Sequence, residues 1–225
     1  MKILLIHGWL HTTDTLKSLQ EDLFMHNVTL WHICGLDDNA YVSREEHISS
    51  LEKHLLVNRY DLIVAHSYGC NILLNVRLKL VSTNIVLLNP VYDNFKWHID
   101  ISISLMNLGL PIIKKIYLKY GLCWLIKILA SFTCNNIELI NDKLLVGLTK
   151  SNLKTLSKIL DIQEWEVNLT CNKYIIVHSL KDRLLNKPVK LLQKISCDYY
   201  EVPCGHTSFL ENKDEVLNII FGGLR

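Results

Sequence analysis
Ser67 stands in the run Ala65-His66-Ser67-Tyr68-Gly69, at the apex of what reads as a strand, a tight turn and a helix. The apolar run Leu62–Ala65 just before it is too short for a helix and reads as a buried strand. Small residues stand two places before and two places after the serine, where a strand and the helix that follows it must pack closely. A hydroxyl lifted out at such a turn can attack an electrophilic carbon. Serine is a weak nucleophile, however, until a neighbouring base takes its proton. That base has to arrive from elsewhere in the chain, so the elements that bring distant residues to the turn decide what Ser67 can do.

Short apolar runs at Lys2–Ile6, Val28–Ile33, Leu62–Ala65, Ile85–Leu88, Tyr174–Val177 and Cys197–Val202 read as strands. Between and after them, Thr13–Met25 (with Asp14 as its N-cap), Glu45–Leu56, Asn71–Leu80, Pro188–Ile195 and Lys213–Phe221 have helical spacing. Strands that alternate with helices, each strand a continuous apolar run, imply a parallel sheet covered on both faces. The expected class is therefore α/β, a doubly wound, mostly parallel sheet of about six strands. The alternation breaks between about Tyr92 and Trp165, where Ile99–Leu108, Ile112–Tyr120 and Leu122–Phe132 are apolar and helical in pattern. Residues 92–165 are expected to form a helical cap inserted into a single domain spanning 1–225.

The chain has 225 residues, which at roughly 100–200 residues per domain suits one domain with an insertion. Hydrophobic residues at 49% and charged residues at 20% exclude a disordered chain. A net charge of +2 and a pI near 8.1 give no footprint for nucleic acid as a general partner. The mean hydropathy of +0.19 is high, yet no apolar stretch of about 18 residues runs free of charge, so no membrane span is expected. Seven cysteines, an odd number without a CxxC pair, read as reduced thiols. With strand-like sequence starting at Lys2, a cytoplasmic location is expected. His7 and His11 lie four apart on a loop with no third ligand in reach, so no metal site is expected.

The Ala65–Gly69 run resembles the nucleophile elbow, G-x-S-x-G, of the α/β-hydrolase fold, with Ala65 in the first glycine's place. His7-Gly8-Trp9 follows the first strand, where that family carries its oxyanion loop. The resemblance implies that the N–H groups of Trp9, with Leu10 as a second candidate, and of Tyr68 would hold the oxyanion. It places the base at His206, in Val202-Pro203-Cys204-Gly205-His206, and the acid at Asp182, about five residues past the strand Tyr174–Val177. Asp93, after Ile85–Leu88, is the rival acid. The order Ser67, Asp182, His206 is the one this fold uses. A small serine esterase or thioesterase is implied, acting without a metal or an organic cofactor. The chain departs from the family by starting directly at the strand before His7-Gly8, so a six-stranded, all-parallel sheet is expected. Its nucleophile is a serine, which argues against dehalogenases and epoxide hydrolases, since both need a carboxylate there.

Leu10 and His66 near the elbow, and Trp97, Leu105 and Trp124 in the cap, are the candidate substrate contacts. Lys96, Lys114, Lys115, Lys119 and Lys127 make the cap locally basic. Three readings of it stand. The apolar residues pack the cap onto the sheet with the lysines solvated, or they line an acyl-chain pocket whose lysines attract an anionic carrier such as coenzyme A or phosphopantetheine. Contact with a membrane surface is a third. The implied substrate is a small-molecule ester or thioester. Acyl transfer and carbon–carbon bond hydrolysis use the same constellation, and a non-catalytic binding protein of this fold stays open beside them.

Overall fold
The computed structural model describes residues 1–9, 11, 13–33, 42–92 and 166–223. Six strands are described: β1 (Lys2–Ile6), β2 (Asn27–Trp31), β3 (Leu62–His66), β4 (Lys79–Leu88), β5 (Thr170–Ser179) and β6 (Cys197–Val202). They form one sheet in the order β2-β1-β3-β4-β5-β6, and every neighbouring pair is parallel. The helices are α1 (Lys17–Asp22), α2 (Arg44–Val57), α3 (Tyr68–Leu74), α4 (Val189–Lys194), α5 (Ser208–Glu211) and α6 (Lys213–Gly222).

Side chains alternate across a strand, so a sheet covered on both faces needs both sets to be apolar. The central strands meet that demand. Leu4, Ile6, Ile63, Ala65, Ile85, Leu87 and Ile176 point to one face and pack with Leu51 and Leu55 of α2, Ile72 and Leu73 of α3 and Leu191 of α4. Ile3, Leu5, Leu62, Val64, Val86, Leu88, Ile175 and Val177 point to the other, against Leu19 of α1, Phe209 of α5 and Val216 and Ile220 of α6. The edge strands β2 and β6 are only partly buried and carry the mixed sequences NVTLW and CDYYEV.

The chain runs from β1 outward to β2, then crosses back to β3 on the other side of β1. In open α/β sheets such a reversal leaves a crevice at the C-terminal ends of the two strands, and ligands bind there. Here the crevice lies between the ends of β1 and β3, beside Gly8 and Ser67.

Several boundaries differ from the sequence reading. The expected helix Thr13–Met25 is a 3₁₀ turn, Thr13–Leu16, followed by the short α1, and Asp14 pairs with Lys17 rather than capping the helix. The expected helix Asn71–Leu80 is α3, which begins directly after Ser67 and ends at Leu74. Leu80 belongs instead to β4, which starts at Lys79 and pairs with the polar start of β5 through a register shift between Leu80 and Asn84. Helix α2 starts one residue early, under a capping box. Ser43 accepts the Glu46 N–H, and Glu46 reaches back to the Ser43 N–H. Nearly all of the expected cap, residues 93–165, lies outside the described residues, as do Cys34, Cys123 and Cys134. The four described cysteines, Cys70, Cys171, Cys197 and Cys204, are free thiols.

Candidate active site
The turn between β3 and α3 holds Ser67 at φ 52° and ψ −118°, a backbone conformation that side-chain-bearing residues rarely adopt. Close packing on both sides keeps it there. A Cβ on Gly69 would meet the His7 carbonyl oxygen at 2.5 Å and Ile6 Cγ2 at 2.8 Å, so only glycine lets α3 start this near the end of β1. A Cβ on Gly8 would meet Ser67 Cβ at 2.8 Å. The loop after β1 therefore lies against the serine. The Ser67 N–H is held by the Leu88 carbonyl at the end of β4, at 2.9 Å.

His206 comes to this turn from the loop between β6 and α5. Its Nε2 lies 2.8 Å from Ser67 Oγ and its Nδ1 lies 2.7 Å from Asp182 Oδ2. A carboxylate can only accept, so Nδ1 carries the hydrogen and Nε2 is left as the acceptor for the serine hydroxyl. Asp182 is fixed in turn, because its other oxygen accepts the N–H groups of Leu184 at 2.8 Å and Leu185 at 3.1 Å. Burial pushes the Asp182 carboxyl up. The His206 ring, its hydrogen bond and those two N–H groups outweigh burial and hold it below the usual carboxylate range. Asp182 stays ionised near neutral pH. The arrangement is thus a buried chain from carboxylate to imidazole to hydroxyl, built from the ends of β3, β5 and β6.

The loops that carry these residues are tied to one another. Leu180 N–H donates to the Val202 carbonyl and Lys181 N–H to the Cys204 carbonyl. His7 stitches the β1 loop to β2. Its Nε2 accepts the Ile33 N–H at 3.0 Å, so its Nδ1 carries the hydrogen that points to the Gly8 carbonyl at 2.8 Å. His7 thus fixes the loop that abuts the serine.

The structure brings Trp9, His66, Ser67, Tyr68, Asp182 and His206 into one neighbourhood. Trp9 lies on the loop after β1, next to the Gly8 that abuts Ser67. Tyr68 is the first residue of α3. His66 is buried, its Nε2 donates to the His206 carbonyl at 3.0 Å, and its Nδ1 has no hydrogen-bond partner. Burial and the neighbouring His206 push His66 down to about 3, and burial together with His66, His206 and His7 pushes His11 well below the usual value. Both rings are neutral at pH 7, stacked edge to face with centroids 5.0 Å apart. Leu10, Trp97, Leu105, Trp124 and the rival acid Asp93 lie outside the described residues. Among the described residues no three His, Cys, Asp or Glu side chains gather as a metal-binding group, and no helix is long and apolar enough to cross a membrane.

Asn89 and Ser179 were not singled out from the sequence. Asn89 has φ 47°, and its side chain joins Ser179 to the His206 backbone. The only sequence signal was the Asn89-Pro90 pair, which marks a turn and says nothing of what the side chain reaches.

No family model matches the chain, and no curated protein matches it by sequence. Solved structures do. A carboxylesterase of the ammonia-oxidising thaumarchaeon Nitrososphaera gargenis is similar over 99% of this chain and 89% of its own, with 15% identity and a TM-score of 0.64. Polyneuridine aldehyde esterase is similar over 100% of this chain and 99% of its own, with 14% identity and a TM-score of 0.60. An extracellular alpha/beta-hydrolase from a Paenibacillus species matches over 99% and 98%, with 11% identity and a TM-score of 0.59. Likeness across the whole chain at identities this low speaks for architecture, and that architecture is the α/β-hydrolase fold.

Proposed function
We propose that the protein is a serine hydrolase that cleaves a carboxylic ester or an acyl thioester through an acyl-enzyme. The observation that carries this is the hydrogen-bonded chain from Asp182 through His206 to a Ser67 held at positive φ. In this reading His206 Nε2 takes the Ser67 proton as Oγ attacks the substrate carbonyl. The carbonyl oxygen becomes negative, and the N–H groups of Trp9 and Tyr68 hold it. Loss of one such donor costs about 3 kcal/mol of barrier in enzymes built this way. The imidazolium, stabilised by Asp182, returns its proton to the departing alcohol or thiol. A water then repeats the sequence on the Ser67 ester, with His206 again taking and returning the proton, and releases the acid.

Every step uses residues of this chain, and none calls for a metal or an organic cofactor. The structural neighbours support the hydrolase class, since those named above include a carboxylesterase and polyneuridine aldehyde esterase. The apolar composition of 92–165 favours a medium-length acyl or aromatic group, and its lysines favour an anionic carrier on the leaving side. We place the protein in the cytoplasm on its free thiols.

The test is hydrolysis of p-nitrophenyl esters of increasing chain length by the wild type and by Ser67→Ala. We expect turnover in the wild type and a loss on the order of 10⁶ in kcat in the variant. Equal rates in the two proteins would remove Ser67 from the chemistry.

A further inference from the structure
Among the described residues only two non-glycine residues have positive φ, Ser67 and Asn89. They are neighbours across the sheet, because the Ser67 N–H is held by Leu88, the residue before Asn89. Asn89 is fully buried, and both polar atoms of its side chain and its backbone N–H are hydrogen-bonded. Its Oδ1 accepts the Ser179 N–H at 2.7 Å. Its Nδ2 donates to Ser179 Oγ at 2.8 Å and to the His206 carbonyl at 2.6 Å. Its own N–H donates to the Val177 carbonyl at 2.8 Å. The His206 carbonyl has a second donor in His66 Nε2, at 3.0 Å.

These bonds have a direction. Only a side chain with a donor and an acceptor on one short stem can satisfy a strand-end N–H on one side and a loop carbonyl on the other, and only Asn and Asp among the short polar residues readily accept positive φ. An ionised Asp would lack the donor. We propose that Asn89 is a positioning residue. Together with His66, it holds the His206 backbone at the height where the ring meets both Ser67 Oγ and Asp182. This inference rests on the serine-hydrolase reading above. Leu88 and Asn89 then locate the nucleophile and the base from one strand end. A misplacement of about 1 Å at a reacting group costs about 100-fold, so loss of the clamp should be visible in the chemistry.

The test uses Asn89→Gly and Asn89→Asp in the full chain, with Ser67→Ala as the blank. Glycine accepts φ 47° without strain and deletes every side-chain bond. Aspartate keeps the acceptor for the Ser179 N–H and tolerates the backbone, and in its ionised form, sought by reading the rates up to about pH 9, it cannot donate to the His206 carbonyl. Steady-state kinetics on p-nitrophenyl butyrate, the rate of labelling by a fluorophosphonate, and circular dichroism are read on each. We expect kcat and the labelling rate to fall together by about 10- to 100-fold in both variants, with KM within about twofold. The downfield resonance of the His206 Nδ1 proton should broaden in both. If Asn89→Gly does not fold, Asn89→Asp decides alone. A folded Asn89→Asp with wild-type kcat and labelling overturns the proposal. So does a loss that only tracks the unfolded fraction seen by circular dichroism. A folded wild type that neither labels nor turns over defeats the serine-hydrolase reading first, and this one with it. A labelled wild type with equally labelled variants defeats this one alone.

Discussion

The two ends of the sheet are built on opposite principles. At the N-terminal ends of the strands several polar pairs lie at the surface. Lys173 meets Asp198 at 2.7 Å with side chains 38% and 43% exposed, and Asn172 meets Asn84 at 2.8 Å on the surface. At the C-terminal ends His7, His66, Ser67, Asn89, Ser179, Asp182 and His206 are all buried. Both positive-φ residues named above sit there as well. Burying a polar group costs stability unless it is hydrogen-bonded, and strained backbone costs more. One sheet thus concentrates both costs at a single end. That contrast singles out the C-terminal end independently of any motif.

The largest effect expected from breaking the contrast at the C-terminal end, short of removing Ser67 itself, is at Asp182. In Asp182→Asn the new amide can donate to Nδ1 and so favour the tautomer with hydrogen on Nε2. That tautomer cannot accept the Ser67 proton. We expect kcat on a p-nitrophenyl ester to fall by about 10⁴ with the fold retained by circular dichroism. A loss below about tenfold would move the acid's role to another carboxylate, such as Asp93.

The buried histidines give the next effect, and it is one of stability. His66 and His11 are held below the ordinary histidine range in the folded protein, so the unfolded chain binds their protons first. Their neutral forms suit the fold fully above pH 6.5, the unfolded value. Below it, stability falls as the pH drops toward about 3, the folded value of His66. His66 contributes a slope of up to about 1.4 kcal/mol per pH unit in that window, and His11 acts in the same direction. Urea unfolding between pH 7 and pH 4 should show it, and His66→Gln, which keeps a donor for the His206 carbonyl without a titrating ring, should flatten it. An unchanged slope in His66→Gln would assign the acid sensitivity elsewhere.

The same contrast decides what could be read from the sequence. The inner strands β1 and β3 are unbroken apolar runs, so they stand out, and the parallel, doubly covered sheet follows from them. Helix α3 was legible as a helix but not in its bounds, since Asn71–Leu80 was read where Tyr68–Leu74 forms. All seven of its residues are buried, including Asn71, so it has no polar face to give it a period. Its start is fixed by the turn at Ser67 rather than by a capping pattern. The first halves of β4 and β5 were missed because they are polar and pair with each other, Lys79 with Thr170 and Leu80 with Cys171. Ser67, Asp182 and His206 were legible because their local settings, strand then loop or strand then helix, are written in neighbouring residues. Asn89 was not, since its bond to His206 spans 117 positions and depends on a φ no neighbour encodes.

At the other end of the sheet the smallest effect is expected. Lys173→Ala removes an exposed pair with Asp198 and a bond to the Gly223 carbonyl. Its cost in urea unfolding should be about 1 kcal/mol or less, with kcat unchanged. A large loss of activity there would mean the two ends are coupled, and the contrast would lose its meaning.

The most direct test of the central claim is covalent. Folded wild-type protein treated with a fluorophosphonate should gain one phosphonyl group with loss of fluoride, and peptide mapping should place it on Ser67. Ser67→Ala should gain none. A folded wild type that stays unmodified, or a label that persists in Ser67→Ala, would contradict the assignment of Ser67 as the nucleophile.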